Sequence, residues 1–144
     1  MPRALLDTTV LFAAAYRRDG AHADALPILR GIDDGSLPEA VVLDYVLAET
    51  LNGLTTHAGH DAAVDLLDRI EENARFHVDS LNANAFATAK ALFRQYRPLS
   101  FVDACIVAYM STEGLGYLYA FDDDFDVADD VYRLDTATNP YDPD

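Results

Sequence analysis

The stretch ALLDTTVLFAAA, residues 4–15, joins a short apolar run to a helix-like segment through a single acid, Asp7. An apolar run that leads directly into helical periodicity is typical of a buried strand of a parallel sheet followed by a helix. In open α/β sheets, ligands bind beyond the carboxyl ends of the strands. Asp7 is therefore predicted to lie at such an edge, where acids from other parts of the chain can join it.

The rest of the chain alternates between strand and helix patterns. Further strands are predicted at 40–43, 75–78, 117–121 and 131–134, and helices at 9–18, 21–32, 44–54, 60–73, 81–96 and 100–113. This alternation predicts an α/β fold with a mostly parallel sheet of four or five strands covered by helices on both faces. The length suits one domain, predicted to span 1–136. Residues 137–144 contain two prolines and no apolar periodicity, and are predicted to form a loose tail.

Acids greatly outnumber bases in this chain. Counts of 25 acids and 10 bases give a formal net charge of −15. A charge of this size destabilises a compact state by self-repulsion unless salt screens it. We therefore predict adaptation to a salt-rich cytoplasm, with an acidic surface for a basic partner as the alternative. No apolar run has the length of a membrane span and no signal-peptide pattern is present, so a cytoplasmic location without membrane association is predicted.

Four acids fall at comparable places on this pattern. Asp7 ends the first strand, Glu49 lies in the helix after the second, and Asp103 and Asp122 flank the fourth strand on its two sides. Each also has a simple structural explanation. Asp7 can cap a helix, Asp103 can form a capping box with Ser100, and the other two can be solvated charges. These explanations do not predict that all four acids arrive at one edge of the sheet.

A group of acids at one place requires compensation. Two carboxylates about 5 Å apart repel by roughly 3 kcal/mol at an effective dielectric constant near 20. Four of them stay ionised together only beside cations. Ligands that are all oxygen suit Mg²⁺ or Mn²⁺, and such an ion can activate water and stabilise the leaving oxygen of a phosphoryl displacement. The acids therefore predict nuclease chemistry.

Four short motifs surround these acids: LDTT at 6–9, AETLN at 48–52, LSFVDA at 99–104 and FDDDFD at 121–126. In order and spacing they resemble the motifs of PIN-domain nucleases, and most closely those of VapC-like toxins of type II toxin–antitoxin pairs. The resemblance implies a PIN-like three-layer α/β/α fold and a Mg²⁺- or Mn²⁺-dependent endoribonuclease. It further implies a homodimer and inhibition by a small cognate antitoxin. Together with the charge, it suggests a haloarchaeal source.

The resemblance also assigns the metal site. It implies that the metal-binding, catalytic acids are Asp7, Glu49, Asp103 and Asp122, with Asp124 and Asp126 as additional candidate ligands. One position departs from the family pattern. Many relatives carry Thr or Ser two residues before the last acid, where this chain has Ala120. A hydroxyl that would orient water or substrate is therefore missing there.

Substrate contacts are predicted at two kinds of residue. The only basic stripe consists of Lys90, Arg94 and Arg97, at helical spacing, for which RNA-backbone contact and a solvated face are the alternatives. Polar residues inside the motifs are the second kind. Those assigned to RNA by the resemblance are Thr8, Asn52 and Ser100.

Three other patterns carry less weight. The acidic run from 122 to 130 lacks the Gly and Glu that an EF-hand loop needs at its sixth and twelfth positions. His57 and His60 have ligand-like spacing, but no cysteine or third histidine is near, so we interpret them as loop residues. Cys105, the only cysteine, lies in an apolar helix and is predicted to be a core residue.

Two other function classes compete with a nuclease. An aspartate-based phosphatase or phosphotransferase of α/β fold also places an acid at a strand end. In such an enzyme we expect a second acid two residues after the nucleophile, where this chain has Thr9. We also expect an acidic pair before the first strand, and this chain has none there. The second alternative is a non-catalytic acidic binding module, in which the carboxylates only cap helices.

Overall fold

The computed structural model describes residues 2–142. Within this range, strands and helices alternate along most of the chain. The strands are β1 (Arg3–Leu6), β2 (Glu39–Leu43), β3 (Phe76–Asp79), β4 (Tyr117–Tyr119) and β5 (Tyr132–Leu134). The helices are α1 (Thr8–Ala15), α2 (His22–Asp34), α3 (Asp44–His57), α4 (His60–Glu72), α5 (Ala83–Gln95) and α6 (Phe101–Glu113). A short 3₁₀ helix, Asp123–Val127, follows β4.

The five strands form one sheet in the order β3-β2-β1-β4-β5, and every neighbouring pair is parallel. The central strand is β1, which pairs with β2 through Leu5 and Val41 and with β4 through Leu6 and Tyr119. Because the strands are parallel, their carboxyl ends lie at the same edge. This confirms the predicted α/β/α architecture and places the residue after β1 at the middle of that edge.

The sheet is buried by helices packed against it and against each other. Every residue of β2 is buried, and so is the apolar part of β1. In α6 all residues from Asp103 to Met110 are buried, which explains why this helix is apolar around its whole circumference. The helices contact one another in two groups, α1 with α2 and α3 and onward to α4, and α5 with α6.

Several predicted boundaries were wrong, each for a local reason. Helix α1 ends at Ala15 rather than at residue 18. Helix α3 continues to His57, past the predicted break, and the hydroxyl of Thr55 bonds back to the carbonyl of Leu51 within it. Helix α5 begins at Ala83 rather than at residue 81, because Asn82 caps it through the N–H of Ala85.

The C-terminal segment contacts the body of the domain. The hydroxyl of Tyr141 donates to the carbonyl of Arg3 at 2.9 Å, and that of Tyr119 donates to the carbonyl of Thr138 at 2.7 Å. These contacts hold part of the segment that the sequence predicts to be a loose tail; its last residues, 143 and 144, lie outside the described residues. The domain boundary at residue 136 stays a prediction. No helix among residues 2–142 is both long and apolar enough to cross a bilayer.

Candidate active site

Asp7 lies directly after β1 and caps α1. Its Oδ2 accepts hydrogen bonds from the hydroxyl of Thr9 at 2.6 Å and from the N–H of Thr9 at 3.3 Å. The residue is only 3% exposed. The pKa of its carboxyl is raised to about 6. Burial is the largest cause and the Asp103 carboxylate adds to it, whereas the hydrogen bonds from Thr9 act in the opposite direction. Asp7 therefore caps a helix, and its ionised form is unfavourable in the folded protein.

Asp103 lies in the first turn of α6, where it forms the predicted capping box. Its backbone N–H donates to the hydroxyl of Ser100 at 3.1 Å, and its Oδ2 accepts from the N–H of Ser100 at 3.1 Å. Burial raises the pKa of the Asp103 carboxyl, the bonds to Ser100 oppose this, and the carboxylates of Asp122 and Glu49 raise it further.

The charges of the four predicted acids interact through Asp103. The Asp103 carboxylate raises the pKa of Asp7, and the carboxylates of Asp122 and Glu49 raise the pKa of Asp103. Glu49 is exposed on α3, while Asp122 is half-buried and caps the 3₁₀ helix by accepting from the N–H of Asp124 at 2.9 Å. Among residues 2–142, no three of these four acids have carboxylate oxygens within 4.8 Å of one another; the acids that do are Asp122, Asp123 and Asp124.

Thr9 is a residue of this site that the sequence analysis did not select. Its hydroxyl donates to Asp7 and accepts a hydrogen bond from the N–H of Phe121 at 3.1 Å. It thus ties the end of β1 to the segment just after β4, next to Asp122. The bond to Asp7 could have been found from the capping pattern, but the partner lies 112 residues away and left no local signal. Ala120 is fully buried and has no hydroxyl. A hydroxyl that lies near this position is that of Thr9, which accepts from the N–H of Phe121, the residue after Ala120.

The side chain of Thr8 is unusual in another way. Its Oγ1 is buried and lacks a hydrogen-bond partner within the described part of the chain. A buried hydroxyl without a hydrogen-bond partner costs about 1–3 kcal/mol of stability. Next to a carboxylate, such a group indicates a place where a ligand can bind.

The acidic run after β4 divides into two parts. Asp122, Asp123 and Asp124 each offer a carboxylate oxygen within 4.8 Å of the others. Asp126 is instead held by Arg133, whose Nε donates to Oδ1 at 2.9 Å, and this hydrogen bond lowers the pKa of the carboxyl. Asp124 and Asp123 therefore lie beside Asp122, and Asp126 has a different partner.

Most of the predicted substrate contacts are exposed, and several lie on helices α3 and α5. Lys90 lies over the ring of Phe86 at 5.0 Å, and Arg94 is exposed on the same helix. Arg97 lies after the end of α5 rather than inside it, so the stripe is shorter than predicted. Asn52 is exposed on α3 near Glu49, and Ser100 uses its hydroxyl in the capping box.

The remaining candidates have structural roles. The ring of His57 packs against Phe12 and Tyr16, with centroid distances of 5.9 and 6.2 Å. Cys105 is fully buried, and burial raises the pKa of its thiol to about 11, so it has no nucleophilic character.

Comparison with protein families gives a match to the PIN domain over residues 4–131. The chain belongs to the PIN domain family. Comparison with individual curated proteins gives no significant match.

This PIN domain is similar in structure to solved VapC and VapBC proteins. VapC20 from Mycobacterium tuberculosis, described as a sarcin-ricin loop cleaving toxin, aligns with a TM-score of 0.75 and 28% identity over 87% of this chain and 94% of that chain. VapBC2 from Rickettsia felis, bound to a promoter DNA fragment, aligns with a TM-score of 0.66 and 15% identity over 92% and 98%. VapBC-1 from nontypeable Haemophilus influenzae gives 0.65 and 18% over 93% and 98%. The last two support the fold alone.

Proposed function

We propose that this PIN domain is a divalent-metal-dependent endoribonuclease that acts as the toxin of a toxin–antitoxin pair. The observation that carries the proposal is the electrostatic interaction of four carboxylates, those of Asp7, Glu49, Asp103 and Asp122. Two of them, Asp7 and Asp103, are buried, have raised pKa values and have no basic partner among residues 2–142. Helix capping alone does not account for an arrangement in which the acids destabilise one another.

The donor set fits Mg²⁺ or Mn²⁺. It consists of carboxylate oxygens, which these hard cations prefer, and of the unpaired hydroxyl of Thr8 beside them. A cation would offset the repulsion that raises the two pKa values. Asp7, Glu49, Asp103 and Asp122 would hold it, with Asp124 in reach. When bound, the ion would supply a nucleophilic water and stabilise charge on the leaving oxygen.

The chain itself would position the acids and the substrate. Thr9 fixes the orientation of the Asp7 carboxylate, and the capping box fixes that of Asp103. Lys90, Arg94 and Arg97 would contact RNA phosphates, since exposed cations contribute most of the sequence-independent affinity for nucleic acids. Thr8, Asn52 and Ser100 remain proposed polar contacts to the substrate.

Membership of a toxin–antitoxin pair is supported by the neighbours. The VapC20 structure is described as that of a toxin that cleaves the sarcin-ricin loop, at 28% identity. The structure from Klebsiella pneumoniae is described as a toxin–antitoxin complex. We propose a small antitoxin protein as partner for this chain, a homodimeric assembly and RNA as substrate. With a net charge of −15, RNA cleavage should persist in concentrated KCl, because salt screens the acidic surface.

The test is cleavage of a structured RNA by the purified chain with Mg²⁺, with Mn²⁺ and with EDTA. We expect cleavage only with the cations, and its loss in Asp7→Asn and Asp103→Asn. Cleavage by both variants at the parental rate would refute the assignment of the site. RNA binding without cleavage under any condition would favour the non-catalytic module. A trapped acyl-phosphate on Asp7 would favour the phosphotransferase, which membership of the PIN family disfavours.

A further inference from the structure

Four aromatic side chains form a continuous cluster on the surface beside the acids. We call it the aromatic ledge: Tyr45 on α3, Phe86 and Phe93 on α5, and Phe101 on α6. Tyr45 stacks on Phe86 at a centroid distance of 6.2 Å, and Phe86 and Phe93 each meet Phe101 edge to face at 5.5 and 5.7 Å. Three helices thus contribute to one cluster, and its rings are fixed in orientation by one another.

The aromatic ledge is joined to the acids through α3. Tyr45 precedes Glu49 by four residues on α3, so the two side chains lie about 5–6 Å apart at their Cβ atoms on one face of that helix. A ligand bound on the aromatic ledge would therefore lie next to Glu49, whose charge in turn acts on Asp103.

Exposure and charge distinguish the aromatic ledge from ordinary core packing. Tyr45 is 40% and Phe93 47% exposed. Lys90 lies over the face of Phe86, and Arg94 follows Phe93 directly in the chain. No carboxylate within residues 2–142 forms an ion pair with Lys90 or Arg94. Most other bases in this range lack an ion pair as well, so the feature that distinguishes these two is their place among aromatic rings, in a chain with 10 bases against 25 acids.

We propose that the aromatic ledge binds an unpaired nucleobase of the RNA substrate by stacking, while Lys90 and Arg94 contact the adjoining phosphates. Charge complementarity favours this occupant over an apolar protein surface, because a protein partner would have to bury both cations. Rings that are already fixed lose little conformational entropy when a base stacks on them. Bases inside a duplex are already stacked and inaccessible, so the ledge selects single-stranded or looped RNA. This inference rests on the proposed function for the identity of its ligand.

The test is binding of a short fluorescent single-stranded RNA in EDTA, where metal-dependent cleavage is absent, measured by fluorescence anisotropy. Loss of one stacking ring corresponds to about 1–3 kcal/mol, so Phe93→Leu and Tyr45→Leu should weaken binding between about 5-fold and about 150-fold. Phe93→Trp should retain it. Tyr132→Leu is the matched control, because Tyr132 is an exposed aromatic residue on β5, 69% exposed, and should bind like the parent. A matched abasic oligonucleotide and a blunt duplex should bind weakly and equally to all variants.

Binding that is unchanged in both leucine variants, or that falls equally for the abasic oligonucleotide, would overturn the inference. So would dissociation of an oligomer by Phe93→Leu in sedimentation, because the ledge would then be a protein interface. Failure of the proposed function has a different signature: no cleavage with Mg²⁺ or Mn²⁺ by the parent, whatever the leucine variants bind. Thermal unfolding of each variant shows whether a loss of binding comes from misfolding.

Discussion

Buried acids at the two ends of the sheet have pKa shifts of opposite direction. At the amino end, Glu39 begins β2 and accepts a hydrogen bond from Nε2 of His77 at 2.6 Å. That bond lowers the pKa of the Glu39 carboxyl, burial opposes it, and the charges of His77, Arg75 and Arg3 lower it further. At the carboxyl end, burial raises the pKa of Asp7, which is 3% exposed, the Asp103 carboxylate adds to the rise, and no basic side chain among residues 2–142 forms an ion pair with Asp7.

The charged form of Glu39 stabilises the folded protein, whereas the charged form of Asp7 destabilises it. A carboxylate with a basic partner needs nothing more from its surroundings. A carboxylate that is buried beside other carboxylates favours protonation or a bound cation. Comparison of the two ends therefore assigns a structural role to the amino end and a functional role to the carboxyl end.

The largest expected effect is on catalysis. Asp103→Asn should lower the rate of RNA cleavage more than about 100-fold, because it removes a charge that would hold the metal. Glu39→Gln, the same type of change at the opposite end of the sheet, should leave the rate within about twofold. Single-turnover cleavage assays with saturating Mn²⁺ measure both. Equal losses in the two variants would abolish the distinction between the ends.

The next effect is on stability. Without metal at pH 7.5, Asp7→Asn should increase the free energy of unfolding by about 2–3 kcal/mol, which corresponds to the shift of its pKa from 3.8 to about 6. Asparagine retains an oxygen that can cap α1. Glu39→Gln should instead lower stability, since it weakens the pairing with His77. Urea unfolding in EDTA gives both values. A lower free energy of unfolding in Asp7→Asn would show that the charge of Asp7 does not destabilise the folded protein.

The same comparison has a pH dependence with a defined sign. Because the pKa of Asp7 is higher in the folded than in the unfolded state, the folded state binds more protons between about pH 4 and pH 6. The metal-free protein should therefore gain stability as the pH falls from 7 to 5, by about 1 kcal/mol. The stabilisation from Glu39, whose pKa is lowered, is lost only below its ordinary titration range. Asp7→Asn should show a flatter profile, and parallel profiles would contradict the shift.

A smaller effect is expected at Thr9. Thr9→Val keeps the shape of the side chain but leaves the N–H of Phe121 unbonded and frees the Asp7 carboxylate, at a cost of about 1–2 kcal/mol in stability. Cleavage should fall about tenfold, because a hydrogen bond that orients a metal-binding carboxylate typically contributes that much. Thr55→Val on the exposed part of α3 is the control and should change stability by less than about 0.5 kcal/mol. Identical results for the two valine variants would remove Thr9 from the site.

The fold and the positions of the acids could be predicted because their signals are local. Apolar runs such as the one before Asp7 identify parallel strands, and parallel strands bring their carboxyl ends to one edge. The capping box of Ser100 and Asp103 could be read from four consecutive residues. Helix ends were less accurate, as at His57, because α3 continues through Thr55 and Thr56, which have low intrinsic helix propensity.

What could not be predicted depends on contacts between distant segments. The bond between Thr9 and Phe121 joins the first turn of α1 to the segment after β4, which only the folded sheet brings together. The aromatic ledge draws its rings from α3, α5 and α6, and none of these residues is unusual within its own helix. Arg133 gives Asp126 a basic partner, although the acidic run that contains Asp126 reads as uniform in the sequence.

The measurement that tests the central claim most directly is unfolding of the parent and of Asp7→Asn during titration with Mn²⁺. Ionic strength is held constant with KCl, because a chain with a charge of −15 is stabilised by any salt. If the acids at the carboxyl edge form a cation site, Mn²⁺ should stabilise the parent by about 3 kcal/mol at a hundredfold excess over its dissociation constant, and the variant by much less. Equal stabilisation of both proteins, or none, would contradict the assignment of this edge as a metal site.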